Sequence, residues 1–178
     1  MLVTFVFFLL ALLLLAVQTT IFQFFPVWLG SPDLLFVLVV FVAYRFDWVR
    51  GLLLVIFYGW MMDVVSGFYL GIYPVLYFLV FILLKILAEK SPIREGLYQI
   101  PMIGASYFVV QLLFYVFFII IQPDALLEWR WSQVIKETFV LLVASIPCFL
   151  ALNRLFEIFA GRRFASRILL RRSGNRFR

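Results

Sequence analysis

The sequence contains no histidine and a single cysteine, Cys148, among its 178 residues. Without histidine, the chain lacks the commonest general base, the commonest metal ligand and the usual pH switch of proteins. A single cysteine can form neither a disulfide within the chain nor a metal site built on cysteine pairs. We therefore expect a protein that is not an enzyme, with no catalytic residues, no metal site and no cofactor.

Charged residues are also scarce, at 13% of the chain, whereas hydrophobic residues make up 66%. A soluble domain would be roughly half apolar and a quarter charged. Because no soluble fold could bury so much apolar surface, lipid must surround most of the chain. The first apolar run has no basic residues before it and no small-residue cleavage site after it. It therefore predicts an uncleaved transmembrane helix and not a signal peptide.

The apolar segments predict an all-α integral membrane protein with about six transmembrane helices. A membrane-spanning helix needs roughly 20 mainly apolar residues, and turn-forming or charged stretches separate six such segments. They are residues 2–24, 32–46, 49–67, 71–88, 99–121 and 136–160. We assign residues 1–160 to a single transmembrane domain and residues 161–178 to a basic tail.

Basic residues alternate between the breaks and predict the orientation. The break after the second segment carries Arg45 and Arg50, and the break after the fourth carries Lys90 and Arg94. The intervening breaks are poor in Lys and Arg, and seven arginines follow residue 160. Because basic loops stay in the cytoplasm, this pattern predicts six spans with both termini cytoplasmic.

One polar stretch, "GWMMDVVSGFYLG", interrupts this apolar sequence. Asp63 lies thirteen residues after Arg50, which places it about 20 Å further along a helix, in the outer half of the bilayer. Gly59, Asp63 and Gly67 share a helical face on which glycines permit close approach of another backbone. Gly67 and Gly71 favour a tight turn, and Ser66 can return a hydroxyl to Asp63 or to a backbone carbonyl. Asp63 is then either a carboxylate facing the interior or a partner, or one solvated by headgroups.

Two other polar stretches have structural interpretations. In "SPDLL", Ser31 is a candidate N-cap, Pro32 suits a first helical turn and Asp33 favours the positive end of the helix dipole. The turn "YRFDWVRG" carries Arg45 and Arg50, which act as topology determinants or contact a cytoplasmic partner.

The basic tail is the third polar feature. It mixes apolar residues with arginines at positions that include Arg162, Arg163, Arg167, Arg171 and Arg172. A basic segment directly after a membrane helix favours contact with anionic lipid, with an acidic protein surface as the alternative. Charge beside a membrane gives little support for nucleic-acid binding, and we predict none.

The order of these motifs resembles the rod shape-determining protein MreD family. "PDLL" opens the second segment, "AYR" ends it, "RG" opens the third, and "G-x-x-x-D-x-x-S-G-x-x-x-G" follows. The resemblance covers roughly residues 30–75; beyond them it is one of size and hydropathy. The residues that carry it are Pro32, Asp33, Leu34, Tyr44, Arg45, Arg50, Gly51, Gly59, Asp63, Ser66, Gly67 and Gly71.

The resemblance implies a non-catalytic subunit of the elongasome, the Rod complex that controls peptidoglycan synthesis and cell shape. Such a protein lies in the bacterial inner membrane and binds MreC directly. Through the complex it acts with MreB, RodA and the partner transpeptidase of RodA. The fold implied is similar to the six-helix substrate-binding subunits of energy-coupling-factor transporters.

Two other functions remain as alternatives. The first is a substrate-capture subunit of a vitamin-type transporter, although the small-residue docking stripe expected in the first helix is not evident. The second is a membrane enzyme acting on lipid-linked precursors, against which the missing histidine argues.

Overall fold

The structure is a computed structural model that describes residues 2–21, 33–67, 71–90, 99–121 and 131–173. Within these residues the chain is all-helical, without β-strands. The six helices are α1 (Leu2–Ile21), α2 (Leu34–Arg45), α3 (Trp48–Ser66), α4 (Ile72–Lys90), α5 (Gln99–Ile121) and α6 (Trp131–Ser173). All helices except α2 are long and apolar enough to cross a membrane. The chain is therefore a multi-pass helical membrane protein.

The five long helices form a closed ring around α2. In the ring, α1 packs on α3, α3 on α4, α4 on α5, α5 on α6, and α6 on α1, while α2 contacts all five. Every residue from Leu35 to Ala43 is fully buried. A helix that is apolar on all sides belongs in an interior, and the sequence "LLFVLVVFVA" of α2 has this property.

The central helix is much shorter than the ring around it. With 12 residues, α2 is about 18 Å long, against about 30 Å for a bilayer hydrocarbon core. Its neighbour α3 has 19 residues, and only Phe46 and Asp47 separate the two helices. Because α2 ends at this tight turn and α3 begins there, the far end of α3 lies about 10 Å beyond the first residue of α2. The sequence prediction of six spans is thus refined to five long helices and one short central helix.

The last helix is longer than predicted at both ends. It has 43 residues and contains Pro147, and its apolar portion covers Trp131–Phe159. It begins five residues before the predicted segment and runs without interruption across the boundary predicted at residue 160. The residues assigned to a basic tail therefore begin as a helical continuation of α6.

Aromatic side chains fill much of the interior. The ring of Phe7 on α1 packs against Phe41 at 5.4 Å, Phe46 at 5.0 Å and Phe156 at 6.2 Å between centroids. These contacts join α1, α2, the α2–α3 turn and α6 at one level. Aromatic pairs at such distances add roughly 0.5–1.5 kcal/mol each beyond area burial. They hold the Arg45 end of the bundle together; the opposite end contains the buried acids Asp33 and Asp63.

Candidate functional site

The carboxylate of Asp63 caps the helix that follows its own. Asp63 is buried near the end of α3. Its Oδ2 accepts the backbone N–H of Gly71, and its Oδ1 accepts that of Tyr73 at 3.0 Å. The first N–H groups of a helix have no partner within the helix, and a negative charge there is favoured by the helix dipole. Asp63 therefore faces the protein interior and joins α3 to α4.

Gly59 lies one turn before Asp63, where the two helix backbones touch. A Cβ atom at Gly59 would lie 2.4 Å from Cα and 2.6 Å from N of Pro74, at the start of α4. Ordinary carbon contacts are about 3.5–4.0 Å, so only glycine fits this crossing. The close approach expected from the glycine spacing is present in the structure.

The two later glycines shape the turn between these helices. Gly67 ends α3 with a left-handed conformation, φ 63°, and its N–H donates to the backbone carbonyl of Asp63 at 3.1 Å. Gly71 has φ 105°, which side-chain-bearing residues rarely adopt. The Ser66 hydroxyl donates to the backbone carbonyl of Asp63 at 3.3 Å and not to its carboxylate. We call Gly59, Asp63, Ser66, Gly67, Gly71 and Pro74 the α3–α4 joint.

The start of α2 has a second buried acid. Asp33 is the N-cap of α2, and its carboxylate accepts the N–H of Leu35 at 3.0 Å. The Gln18 side chain of α1 accepts the N–H of Leu34 at 3.1 Å. The sequence placed the N-cap at Ser31 with Pro32 in the first turn, whereas α2 begins at Leu34 after Asp33. Ser31 and Pro32 lie outside the described residues.

A polar network links α5 and α6 at this same end, and the sequence interpretation missed it. Gln111 Nε2 donates to Oε2 of Glu137 at 2.9 Å and lies 3.0 Å from the hydroxyl of Tyr107. Gln133 Nε2 donates to Oε1 of Glu137 at 3.2 Å. Neither Gln111 nor Glu137 is among the site residues predicted from the sequence. A signal was present in Gln111 and Glu137, since polar residues within apolar helices usually face a partner.

Hydrogen bonds connect two of the acids to tyrosines of α4 and α5. Asp63 accepts the backbone N–H of Tyr73 at 3.0 Å, and Gln111 links the hydroxyl of Tyr107 to Glu137. We call the following set the polar cluster: Gln18, Asp33, Asp63, Tyr73, Tyr107, Gln111 and Glu137. Two of its members, Asp33 and Gln18, accept the first backbone N–H groups of α2.

The opposite end of the bundle is held by contacts to the α2–α3 turn. Lys85 of α4 donates through Nζ to the backbone carbonyl of Phe46, which follows the last residue of α2. Trp48 Nε1 donates to Glu89 Oε1 at 2.7 Å. A cation at a helix C-terminus is favoured by the helix dipole. The turn is thereby fixed to α4.

The two arginines of this turn have different surroundings. Arg45 donates to the side-chain oxygen of Asn153 on α6 at 2.8 Å and lies over the Phe156 ring, 5.8 Å from its centroid. Arg50 lies 3.7 Å from the carboxylate of Asp47, and both side chains are exposed. Exposed ion pairs of this kind contribute about 1 kcal/mol or less. Arg45 therefore helps to fasten α6, whereas Arg50 faces the surroundings.

The arginines of the basic tail fall partly within α6. Its helical backbone includes Arg162, Arg163, Arg167, Arg171 and Arg172. Their side chains lie outside the described part of the structure. Along a helix, residues 163, 167 and 171 are spaced four apart and so share one face.

In the described ranges, no group of three or more His, Cys, Asp or Glu side chains is arranged to hold a metal ion. Both carboxylate oxygens of Asp63 are engaged by backbone N–H groups. Cys148 on α6 is a partly buried free thiol.

Comparison of the chain with protein-family models, with curated proteins and with solved structures finds no match in any of the three. The resemblance to the MreD family therefore rests on the motif residues themselves, and the likeness to energy-coupling-factor subunits has no support from a solved structure.

Proposed function

We propose that this chain is a non-catalytic scaffold subunit of the MreD type. In this role it binds a single-span membrane protein of the MreC type and takes part in the Rod complex of the bacterial inner membrane. The α3–α4 joint is the observation that carries the proposal. It contains five of the motif residues that resemble the family, and each has a role in holding the shape of the bundle.

The residues of the joint fix the contact between α3 and α4. Gly59 has no side chain, so the two backbones can touch, and Asp63 accepts the N–H groups of Gly71 and Tyr73 at the start of α4. Each oxygen of this carboxylate accepts one backbone amide, so the side chain holds the turn between the two helices. A motif that fixes the contact between two helices is expected in a protein whose function is to present a binding surface to another protein.

The orientation predicted from basic residues completes the proposal. It places the α3–α4 joint and the polar cluster toward the outside, and Arg45, Arg50 and the basic end of α6 toward the cytoplasm. A partner with one span and a large outer domain would meet the joint end of the bundle. The basic end of α6 would contact anionic lipid headgroups or an acidic protein surface.

The test is copurification from membranes of a rod-shaped bacterium. A tagged chain should retain a single-span partner in mild detergent, and Asp63→Ala should reduce this retention and rod shape. Val64→Ala is the matched control, because Val64 adjoins Asp63 in sequence and is 76% exposed. If Asp63→Ala retains the partner and cell shape as fully as Val64→Ala does, the role assigned to the joint is wrong.

A further inference from the structure

The last helix continues well beyond the apolar part of the bundle. The apolar portion of α6 ends at Phe159, and its helical backbone continues to Ser173. At 1.5 Å per residue, residues 160–173 add about 21 Å of helix. Because the helix is uninterrupted from Trp131 to Ser173, this extension leaves the bundle along α6 and does not turn to lie along the membrane surface.

The arginines of this extension lie at two depths. The hydrocarbon core is taken to end at Phe159, and the headgroup layer beyond it is about 5–8 Å thick. Arg162 and Arg163 are about 4.5 and 6 Å beyond Phe159 along the helix, at the level of the headgroups. Arg167 is about 12 Å and Arg171 about 18 Å beyond it. Attraction to a charged lipid surface falls off within about 8 Å at physiological salt, so anionic lipid explains the first arginines but not the distal ones.

Three of the arginines form a stripe of like charge. Arg163, Arg167 and Arg171 are four residues apart along α6 and so share one face. Like charges at this spacing destabilise a helix. The last acid before them is Glu157, and residues 158–173 contain no Asp or Glu to offset the repulsion. The helix dipole favours cations in the last turn alone. Negative charge supplied by a partner would relieve the repulsion along the whole stripe.

Apolar residues adjoin this stripe. Phe164 follows Arg163 and Ile168 follows Arg167, so each lies about 100° further around the helix. Phe164 and Ile168 are four residues apart and share a face of their own. A protein surface can offer carboxylates beside an apolar groove at this distance from the membrane, whereas lipid headgroups cannot. Arginine also matches carboxylates in bidentate geometry. The pattern therefore favours a protein over lipid.

We propose that residues 163–173 of α6 form a docking helix for an acidic protein surface on the cytoplasmic side. Carboxylates of the partner pair with Arg163, Arg167 and Arg171, and an apolar groove beside them receives Phe164 and Ile168. The inference rests on the orientation included in the proposed function, which places the end of α6 in the cytoplasm, but not on the binding of an MreC-type partner. Of the two contacts considered for the basic end of α6, it assigns the acidic protein to the distal part.

The lipid alternative is tested with the full chain in nanodiscs. Ile168→Cys, in a Cys148→Ser background, carries an environment-sensitive fluorophore, and the discs contain phosphatidylcholine with or without phosphatidylglycerol. The emission should be that of a label in water in both lipids, because position 168 lies about 13.5 Å beyond Phe159. A shift toward the emission of a label in lipid, on adding phosphatidylglycerol, would assign the segment to the membrane surface and overturn the proposal.

The protein contact is tested by photo-crosslinking in cells of a rod-shaped bacterium. Benzoylphenylalanine replaces Phe164 in the full chain, and the crosslinked peptide is identified by mass spectrometry. We expect a soluble cytoplasmic protein, crosslinked at a segment rich in Asp and Glu. Crosslinking to lipid alone, to no protein, or to a segment without acidic residues would contradict the proposal.

Two double variants with the same change in charge make the crosslinking specific. Arg167→Glu with Arg171→Glu reverses the stripe, whereas Arg162→Glu with Arg172→Glu reverses two arginines that lie off it. The first should lower the crosslinking yield roughly tenfold or more, and the second less than about threefold. Equal losses in both variants would show that total charge and not the stripe is recognised, and the docking face would then be wrong.

Retention of the single-span partner is measured in the same cells. The stripe variant should keep that partner, because it leaves the α3–α4 joint unchanged. A parent chain that shows the stripe-dependent crosslink but retains no single-span partner would contradict the scaffold function alone. A parent chain that retains the partner without the crosslink would contradict the docking helix alone.

Discussion

Replacing Gly59 with alanine should open the α3–α4 joint. The new Cβ would lie 2.4 Å from the Pro74 Cα, so α4 must retreat by about 1 Å or more to restore an ordinary contact of about 3.5 Å. The obstacle is backbone, which cannot rotate away as a side chain can. Overpacking of this kind costs about 1–3 kcal/mol.

Gly104 provides the matched control for this change. A Cβ there would lie 2.9 Å from Cδ1 of Leu142, a terminal methyl that a small rotation can move. Both positions are within helices, so both alanine variants gain the same roughly 1 kcal/mol of helix propensity. The difference between them isolates the backbone clash, and Gly59→Ala should unfold about 1–3 kcal/mol more readily than Gly104→Ala.

The comparison can be made by equilibrium unfolding of the purified variants in mixed detergent micelles, followed by circular dichroism. Gly51→Ala should fall between them, because its Cβ would lie 2.7 Å from Cζ of the fully buried Phe81 ring. Equal stability of Gly59→Ala and Gly104→Ala would refute the close backbone contact at the joint.

Three further changes test the caps of the central and neighbouring helices, each by the same unfolding assay. Asp63→Ala leaves two N–H groups at the start of α4 without their acceptor and should cost about 1–3 kcal/mol, while Asp63→Asn keeps one acceptor and should cost less. Lys85→Met removes the donor to the carbonyl of Phe46 and should cost about 1–2 kcal/mol; an unchanged midpoint would contradict this cap. Gln18→Leu removes the acceptor of the Leu34 N–H and should cost about 1 kcal/mol; a variant as stable as the parent would show that another group satisfies it.

The segments could be predicted from sequence, but the arrangement of the helices could not. Runs of apolar residues gave the spans α1, α3, α4 and α5 to within a few residues, because lipid imposes length and composition. In lipid, however, both the buried and the exposed faces of a helix are apolar. The pattern therefore could not show that α2 lies at the centre of a ring, although its shortness and its lack of a polar face agree with that place.

The individual roles within the joint were predictable where backbone geometry decides them. Gly59 and Gly71 were expected to serve close approach and a tight turn, and they do so because glycine is the residue that these conformations require. The partners of Asp63 were not predictable, since they are backbone amides eight and ten residues later. The pairing of Gln111 with Glu137 depends on how α5 packs on α6, which the sequence does not state.

The scaffold proposal is tested most directly by measuring partner retention and stability together in Gly59→Ala and Gly104→Ala. Each tagged variant is expressed with the MreC-type protein, and the copurified partner is quantified beside the unfolding free energy. We expect Gly59→Ala to lose both stability and partner, and Gly104→Ala to keep both. Full retention of the partner by a destabilised Gly59→Ala chain, or copurification of no membrane partner by the parent chain, would contradict the proposal.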